Sequence, residues 1–197
     1  MRGVIDLENN HNPKKHLFYC FHGTTKTNAD KIIREKNFIW KKRSNHWLGK
    51  GVYFFIDDSD KAKWWASKCI KDKDEKVVVE TEVCIDNDRL FNLDTEQAKK
   101  YLDKYIKEAY SNMVVRNAMV EPNKHLSFLE MRCVCLDVIS KINSYQAIKC
   151  TFLDKKIKYE YLSSIEGGIM NTACQLCVKD CSIIKYDKIR VYSMEEV

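Results

Sequence analysis

Apolar and polar positions along this chain follow two rhythms, one with the period of a strand and one with the period of a helix. Leu17–Phe21 is a run of strand-type residues that stops at His22-Gly23-Thr24. A helical spacing follows at once and predicts a helix from about Asn28 to Glu35, with Ala29, Ile32 and Ile33 as its apolar stripe. Thr27 is the expected N-cap, with Asp30 three residues on, close to a capping box. Val52–Phe55 reads as a short strand. The most regular helix comes next: Asp58 or Ser59 caps it, and Ala62, Trp65, Ala66, Cys69 and Ile70 keep i, i+3, i+4, i+7, i+8 spacing. Lys76–Ile85 alternates with period two and reads as a central strand. Two more helical periods cover Thr95–Asn112, with Ala98, Tyr101, Tyr105 and Ala109 in phase, and Leu126–Ile139, with Leu129, Cys133 and Leu136 in phase. Tyr145–Leu153, Gln175–Lys179 and Lys188–Tyr192 read as late strands. Strands at both ends with helices inserted between them predict an α+β fold with a largely antiparallel sheet and peripheral helices. Residues 1–15 are polar and read as an N-terminal arm, leaving 16–197 as a single domain.

Composition narrows the class. The chain has 197 residues, 45% of them hydrophobic and 11% aromatic, so it can bury a core rather than stay disordered. No apolar run approaches the roughly 20 residues needed to span a bilayer. The segment MRGVIDLENNHNPKK has early acids and no long apolar stretch, unlike a signal peptide, so a cytoplasmic protein is expected. Nine scattered cysteines fit reduced core residues better than a disulfide framework. CQLCVKDC groups three of them (Cys174, Cys177, Cys181), but structural zinc wants four ligands and no histidine is near, so no metal is expected. The net charge of +6 favours anionic partners through long-range attraction, and the densest basic run, Lys41-Lys42-Arg43, opens the polar loop KKRSNHWLGKG.

Three local motifs fall at strand ends or in loops, where chemistry is usually placed. They are His22-Gly23-Thr24, then Leu48-Gly49-Lys50-Gly51-Val52-Tyr53-Phe54, then the stretch Asn171–Val178, which carries Gln175 at the start of an expected strand. Each alone has an ordinary structural explanation: a surface histidine, loop glycines before core aromatics, a polar residue opening a strand. Taken in this order and spacing, FHGT, LGKGVYFF with its Ala- and Trp-bearing helix, and the late strand resemble the ADP-ribosyltransferases. The branch is the one with a His-Tyr-Glu triad, which includes poly(ADP-ribose) polymerase catalytic domains. The resemblance covers roughly Leu17–Ser193.

The resemblance implies a split antiparallel sheet that binds NAD as substrate in a cleft and breaks its nicotinamide–ribose bond. That step develops oxocarbenium character, as in glycoside hydrolysis. On this reading His22 bonds the adenine-side ribose and Gly23 offers main-chain groups to the nicotinamide carboxamide, which a side chain would obstruct. Thr24 supports the ribose or the turn, and Tyr53 stacks on the nicotinamide ring. Lys50, with Ser44 and Gly51 in the same loop, meets the pyrophosphate. The sequence departs at the third position, where Gln175 stands in the slot of the family's glutamate. Glutamine bonds a hydroxyl but is no carboxylate base. The implied activity is therefore mono-ADP-ribosyl transfer to a protein or nucleic-acid acceptor, with NAD hydrolysis or NAD binding without turnover as alternatives. A tRNA 2′-phosphotransferase-like reaction ranks below these, because the basic set it would need is not evident. Glu166, Gly167 and Gly168 form the expected acceptor loop. Glu130 is a second carboxylate candidate that reads more simply as a solvated helix residue, and Glu80 and Glu82 read as the outward face of a strand. Small intracellular transferases of this kind suit a toxin or anti-phage effector, with an antitoxin or immunity protein as a further partner.

Overall fold

The computed structural model of the protein describes residues 14–40, 46–71, 73–120, 127–153 and 172–195. Ser44, Glu166, Gly167 and Gly168 lie outside the described residues, as does the run 41–43. The described chain is α+β, with seven strands and four helices. The strands are β1 (Lys15–Thr25), β2 (Val52–Ile56), β3 (Lys76–Asp86), β4 (Leu90–Asn92), β5 (Ala147–Leu153), β6 (Thr172–Val178) and β7 (Ile184–Ser193). They form one sheet in the order β4-β5-β6-β2-β1-β3-β7, and every neighbouring pair is antiparallel except β4 with β5. The helices are α1 (Lys26–Glu35), α2 (Ser59–Cys69), α3 (Glu96–Val120) and α4 (Phe128–Ile142).

Strand alternation divides the sheet into two faces. Ala29 and Ile32 of α1, with Phe38, pack over Cys20, Phe54, Val77, Val79, Leu176 and Val178 on one face. On the other, α3 and α4 bring Ala98, Leu102, Ile106, Leu136 and Ile139 onto Phe91, Ile148 and Cys177. Farther along that second face, Ala62 of α2 meets Phe55, Val78 and Ala173. None of the helices among the described residues is long and apolar enough to cross a membrane.

The periodic segments appear where the pattern places them, and the boundaries move for identifiable reasons. β1 does not stop at Phe21 but continues through His22, Gly23, Thr24 and Thr25, because β3 supplies a paired residue for each. Thr25, not Thr27, therefore caps α1, its Oγ1 accepting from the Asn28 amide at 3.3 Å. Lys15, assigned to the arm, pairs with Asp86. Asp58 caps α2 as expected, its Oδ1 accepting from the Lys61 amide at 2.9 Å. β6 starts at Thr172, so Gln175 sits in the middle of a strand rather than opening one, and β7 starts four residues before Lys188. β4 is too short for alternation to reveal and exists through its parallel pairing with β5. Cys174 and Cys177, at odd separation on β6, project to opposite faces, so CQLCVKDC does not converge on one point.

Beside β4 the fold is fastened by a polar cluster. Asp94 is ion-paired with Lys149 and accepts from the Thr151 amide at 2.6 Å and its hydroxyl at 2.9 Å. Partial burial works to raise the Asp94 pKa, but the Lys149 ammonium and the two Thr151 donors outweigh it and hold the carboxyl below its ordinary value. A carboxyl depressed in the folded state contributes stability above its unfolded pKa, about 3.9 for aspartate, and loses it as pH falls through the folded value. Asp94→Asn is expected to cost about 1–3 kcal/mol at neutral pH and to flatten the acid limb of a melting-temperature profile below about pH 4. A variant whose profile parallels wild type down to acid pH would show that this cluster is not what acid disrupts.

Candidate functional site

The centre of interest is a fork between β1 and β2. The Asp57 amide bonds the Tyr19 carbonyl at 3.0 Å, and Phe21 pairs with Phe55. In an unbroken strand, main-chain groups of alternate residues point the same way. The β1–β3 register runs without a shift from Lys15 to Thr25, so the N–H and C=O of Gly23, like those of Tyr19 and Phe21, point toward β2. The next rung should join Gly23 to Tyr53, but the β1–β2 pairing ends at Phe21. Instead the His22 ring reaches across and its Nδ1 bonds the Tyr53 carbonyl at 2.8 Å. A carbonyl only accepts, so Nδ1 carries the hydrogen. Phe38 and Phe54 hold the imidazole from the core side, with ring centroids 5.6 and 5.7 Å away.

Gly23 is glycine for a packing reason that the sequence alone did not reveal. A Cβ there would lie 2.2 Å from the Ala62 carbonyl oxygen and 3.0 Å from the Ala66 nitrogen, both in the backbone of α2. The helix rests directly on the strand. The side-chain direction is thus filled by protein, while the main-chain edge faces the fork.

On the other side of the fork, the loop before β2 is fixed by contacts from distant parts of the chain. The Tyr53 hydroxyl donates to Gly49 O at 2.7 Å and accepts from the Leu48 amide at 2.8 Å. Burial, with Cys177 beside it, raises the Tyr53 pKa far above the tyrosine norm and keeps the phenol neutral. His46 Nδ1 donates to the same Gly49 oxygen, and its ring meets Tyr53 edge-on at 5.6 Å. Gly49 itself has φ +79°, and a Cβ there would meet Asp137 Oδ1 at 2.2 Å, so this turn requires glycine. Asp137 accepts from the Lys50 amide at 2.8 Å. Lys179, with a side chain only 12% exposed, donates to Leu48 O and Lys50 O, each at 2.7 Å, and to Asp137 at 2.9 Å. Lys179 and Asp137 are the positions that sequence reading missed. Nothing local marks them, since their partners lie roughly a hundred residues away in the chain.

The candidate residues do not all converge. Tyr53 lies opposite Cys177 and Phe55 opposite Gln175, so Tyr53 and Gln175 emerge on one face as diagonal neighbours, about 7–8 Å apart. Gln175 is half-buried and also faces Cys150 across β5. His22 belongs to the opposite face by parity and joins the site by reaching into the fork. Thr24 does not join it: it is 5% exposed, sits within the strand opposite Val77, and is neither in a turn nor open to a ribose. Gly51 is buried, with the Val178 carbonyl where its side chain would be, and the Lys50 side chain is exposed. Glu130 forms a capping box with Ser127 at the start of α4, which accounts for it structurally. Glu80, on the partly exposed face of β3 as its alternation predicts, accepts from the Tyr192 hydroxyl. A groove between β3 and β7, lined by Tyr19, Glu80, Glu82, Asp187 and Arg190, takes in none of the candidate residues.

No protein-family model matches the sequence. The chain is 26% identical to uncharacterized protein MJ0359 of Methanocaldococcus jannaschii, an alignment covering 89% of this chain and 87% of the relative. That name states no activity, so the functional reading rests on the fork and its surroundings.

Proposed function

We propose that the protein is an NAD-dependent mono-ADP-ribosyltransferase acting on a macromolecular acceptor in the cytoplasm. The observation that carries this reading is the missing rung at Gly23, which leaves an N–H and a C=O of a fixed strand directed toward Tyr53 with no ladder pairing between the two. A planar carboxamide presents the complementary acceptor and donor, so this edge suits the nicotinamide amide. Tyr53, immobilised by its hydroxyl bonds to Leu48 and Gly49, is preorganised to lay its ring against a flat heterocycle. His22, held by its Nδ1 bond to the Tyr53 carbonyl, stands at the same fork, where the resemblance places the ribose contact.

In the reaction the C–N bond between ribose and nicotinamide breaks, the electron pair leaves with nicotinamide, and an acceptor nucleophile forms the new bond at the anomeric carbon. The Gln175 amide oxygen can bond a ribose hydroxyl and offset part of the developing positive charge, but it cannot take the acceptor's proton. The acceptor must therefore be nucleophilic in its own right, and chain elongation through ribose hydroxyls is not expected. The same residue supports the second reading, a protein that binds NAD or hydrolyses it slowly without an acceptor.

Labelled NAD incubated with purified protein and cell lysate separates these readings. Transfer of label to a macromolecule together with nicotinamide release supports the transferase, and nicotinamide release alone points to hydrolysis. NAD binding with neither outcome would sink the enzymatic reading. Gln175→Glu is expected to raise nicotinamide release by about 10-fold or more, within the range a positioned general base contributes. A variant no faster than wild type would show that glutamine is not what restrains the chemistry.

A further inference from the structure

An arginine lies among the core-facing residues of α4. Met131, Cys135, Leu136 and Ile139 of this helix are buried against the sheet. Arg132 shares their stripe, three residues before Cys135 and four before Leu136, where helical periodicity calls for an apolar side chain. Arg132 is half-buried, and its Nε is fully buried without a hydrogen-bond partner among the described residues. A guanidinium nitrogen held this way loses hydration without recovering it, an arrangement that invites an anion.

Neighbouring contacts place this group along the sheet. Asp137, farther down the same helix, meets the Lys50 amide and Lys179 just past the end of β6. Leu136 and Ile139 cluster with Ile148 and Cys177. Arg132, a turn nearer the helix start, therefore lies toward Cys150 and its rung partner Gln175. Electrostatics at Cys150 agree: burial, and after it the Asp94 carboxylate, push its thiol up to about 11, with Arg132 and then Lys99 of α3 acting the other way. Lys99 is exposed. Arg132, fixed, and Lys99, at the surface, both act on Cys150, on the face that carries Tyr53 and Gln175, beside an Asp94 carboxylate that is itself ion-paired with Lys149.

We propose that Arg132 is an anion anchor for this face and takes a phosphate group of the bound ligand, with Lys99 adding charge at the mouth. A phosphate is favoured over a carboxylate because two cations are available and arginine's fork pairs with two phosphate oxygens. The phosphate has two chemical sources, the pyrophosphate of NAD itself or a phosphate carried by the acceptor. Only the choice between them rests on the NAD reading above.

Calorimetric titration of the full-length protein with ADP-ribose, and with inorganic phosphate in the absence and presence of saturating ADP-ribose, distinguishes the two. Arg132→Met is the informative variant, since methionine suits the apolar stripe and should preserve the fold; Arg132→Lys keeps the charge without the fork. If the anchor serves the NAD pyrophosphate, Arg132→Met weakens ADP-ribose by 10-fold or more, Arg132→Lys weakens it less, and saturating ADP-ribose displaces inorganic phosphate. If it serves the acceptor, ADP-ribose affinity is unchanged in Arg132→Met, while inorganic phosphate still binds the ADP-ribose-saturated wild type and is lost in the variant. Phosphate binding that depends on Arg132 in a protein that ignores ADP-ribose would uphold the anchor and remove the NAD reading. Wild-type affinities for both probes in a folded Arg132→Met, or no binding of either probe to wild type, would overturn the proposal.

Discussion

His22→Asn is expected to leave the protein folded while cutting nicotinamide release from NAD by about 100-fold, near the lower end of what losing one preorganised active-site hydrogen bond costs. The choice of asparagine follows from the geometry of the fork. Its amide nitrogen can occupy nearly the place of His22 Nδ1 and keep donating to the Tyr53 carbonyl, 2.8 Å away in the native protein. What disappears is the second ring nitrogen, on the far side from Tyr53. His22→Ala removes the bond to Tyr53 and the packing against Phe38 and Phe54, so it should lower activity and melting temperature together. An asparagine variant that retains full turnover would remove His22 from the chemistry and leave it as a strap across the fork. A loss in the asparagine variant matched by an equal loss of thermal stability would point the same way.

The second large effect is structural. Gly23→Ala places a methyl group 2.2 Å from the Ala62 carbonyl oxygen, a contact that no side-chain rotation can relieve. Either α2 lifts from β1 or the strand bends at the point where the fork opens. Overpacking a tight core commonly costs 1–3 kcal/mol, and two backbones in direct contact place this case at about 3 kcal/mol or more. For a chain of this length that corresponds to a fall in melting temperature of about 6–12 °C. Circular dichroism melts measure it directly, and a fall under about 2 °C would mean that the helix can withdraw freely. Activity should suffer beyond the stability loss, because the same shift moves the main-chain groups of Gly23 that face the fork.

The fold class was legible because period-two and period-3.6 patterns record which side of an element is buried. Lys76–Ile85 and the stripe through Ala62 and Ala66 appear where their patterns put them. Boundaries were less legible, since a strand lasts as long as its partner does: β1 runs on to Thr25 because β3 continues beside it, and β6 begins early because β5 is there to pair. Of the site, the sequence exposed His22, Gly23 and Tyr53 through their compact motifs, and the structure places all three around one fork. It gave Thr24 a ribose or turn role that its burial within the strand does not suit, whereas Glu130 is exposed in a capping box, in keeping with its reading as a solvated helix residue.

By itself, then, the sequence determined the alternation of elements, the globular character of the chain, and the two short motifs that flank β2. Tertiary structure decided what those motifs face. The lost Gly23–Tyr53 rung and the clamp of Lys179 and Asp137 on the loop at Gly49 both join residues far apart in the chain. Pattern and spacing record how a segment meets its immediate neighbours. A fork between strands is a relation among segments, and it exists only once the sheet has set their register.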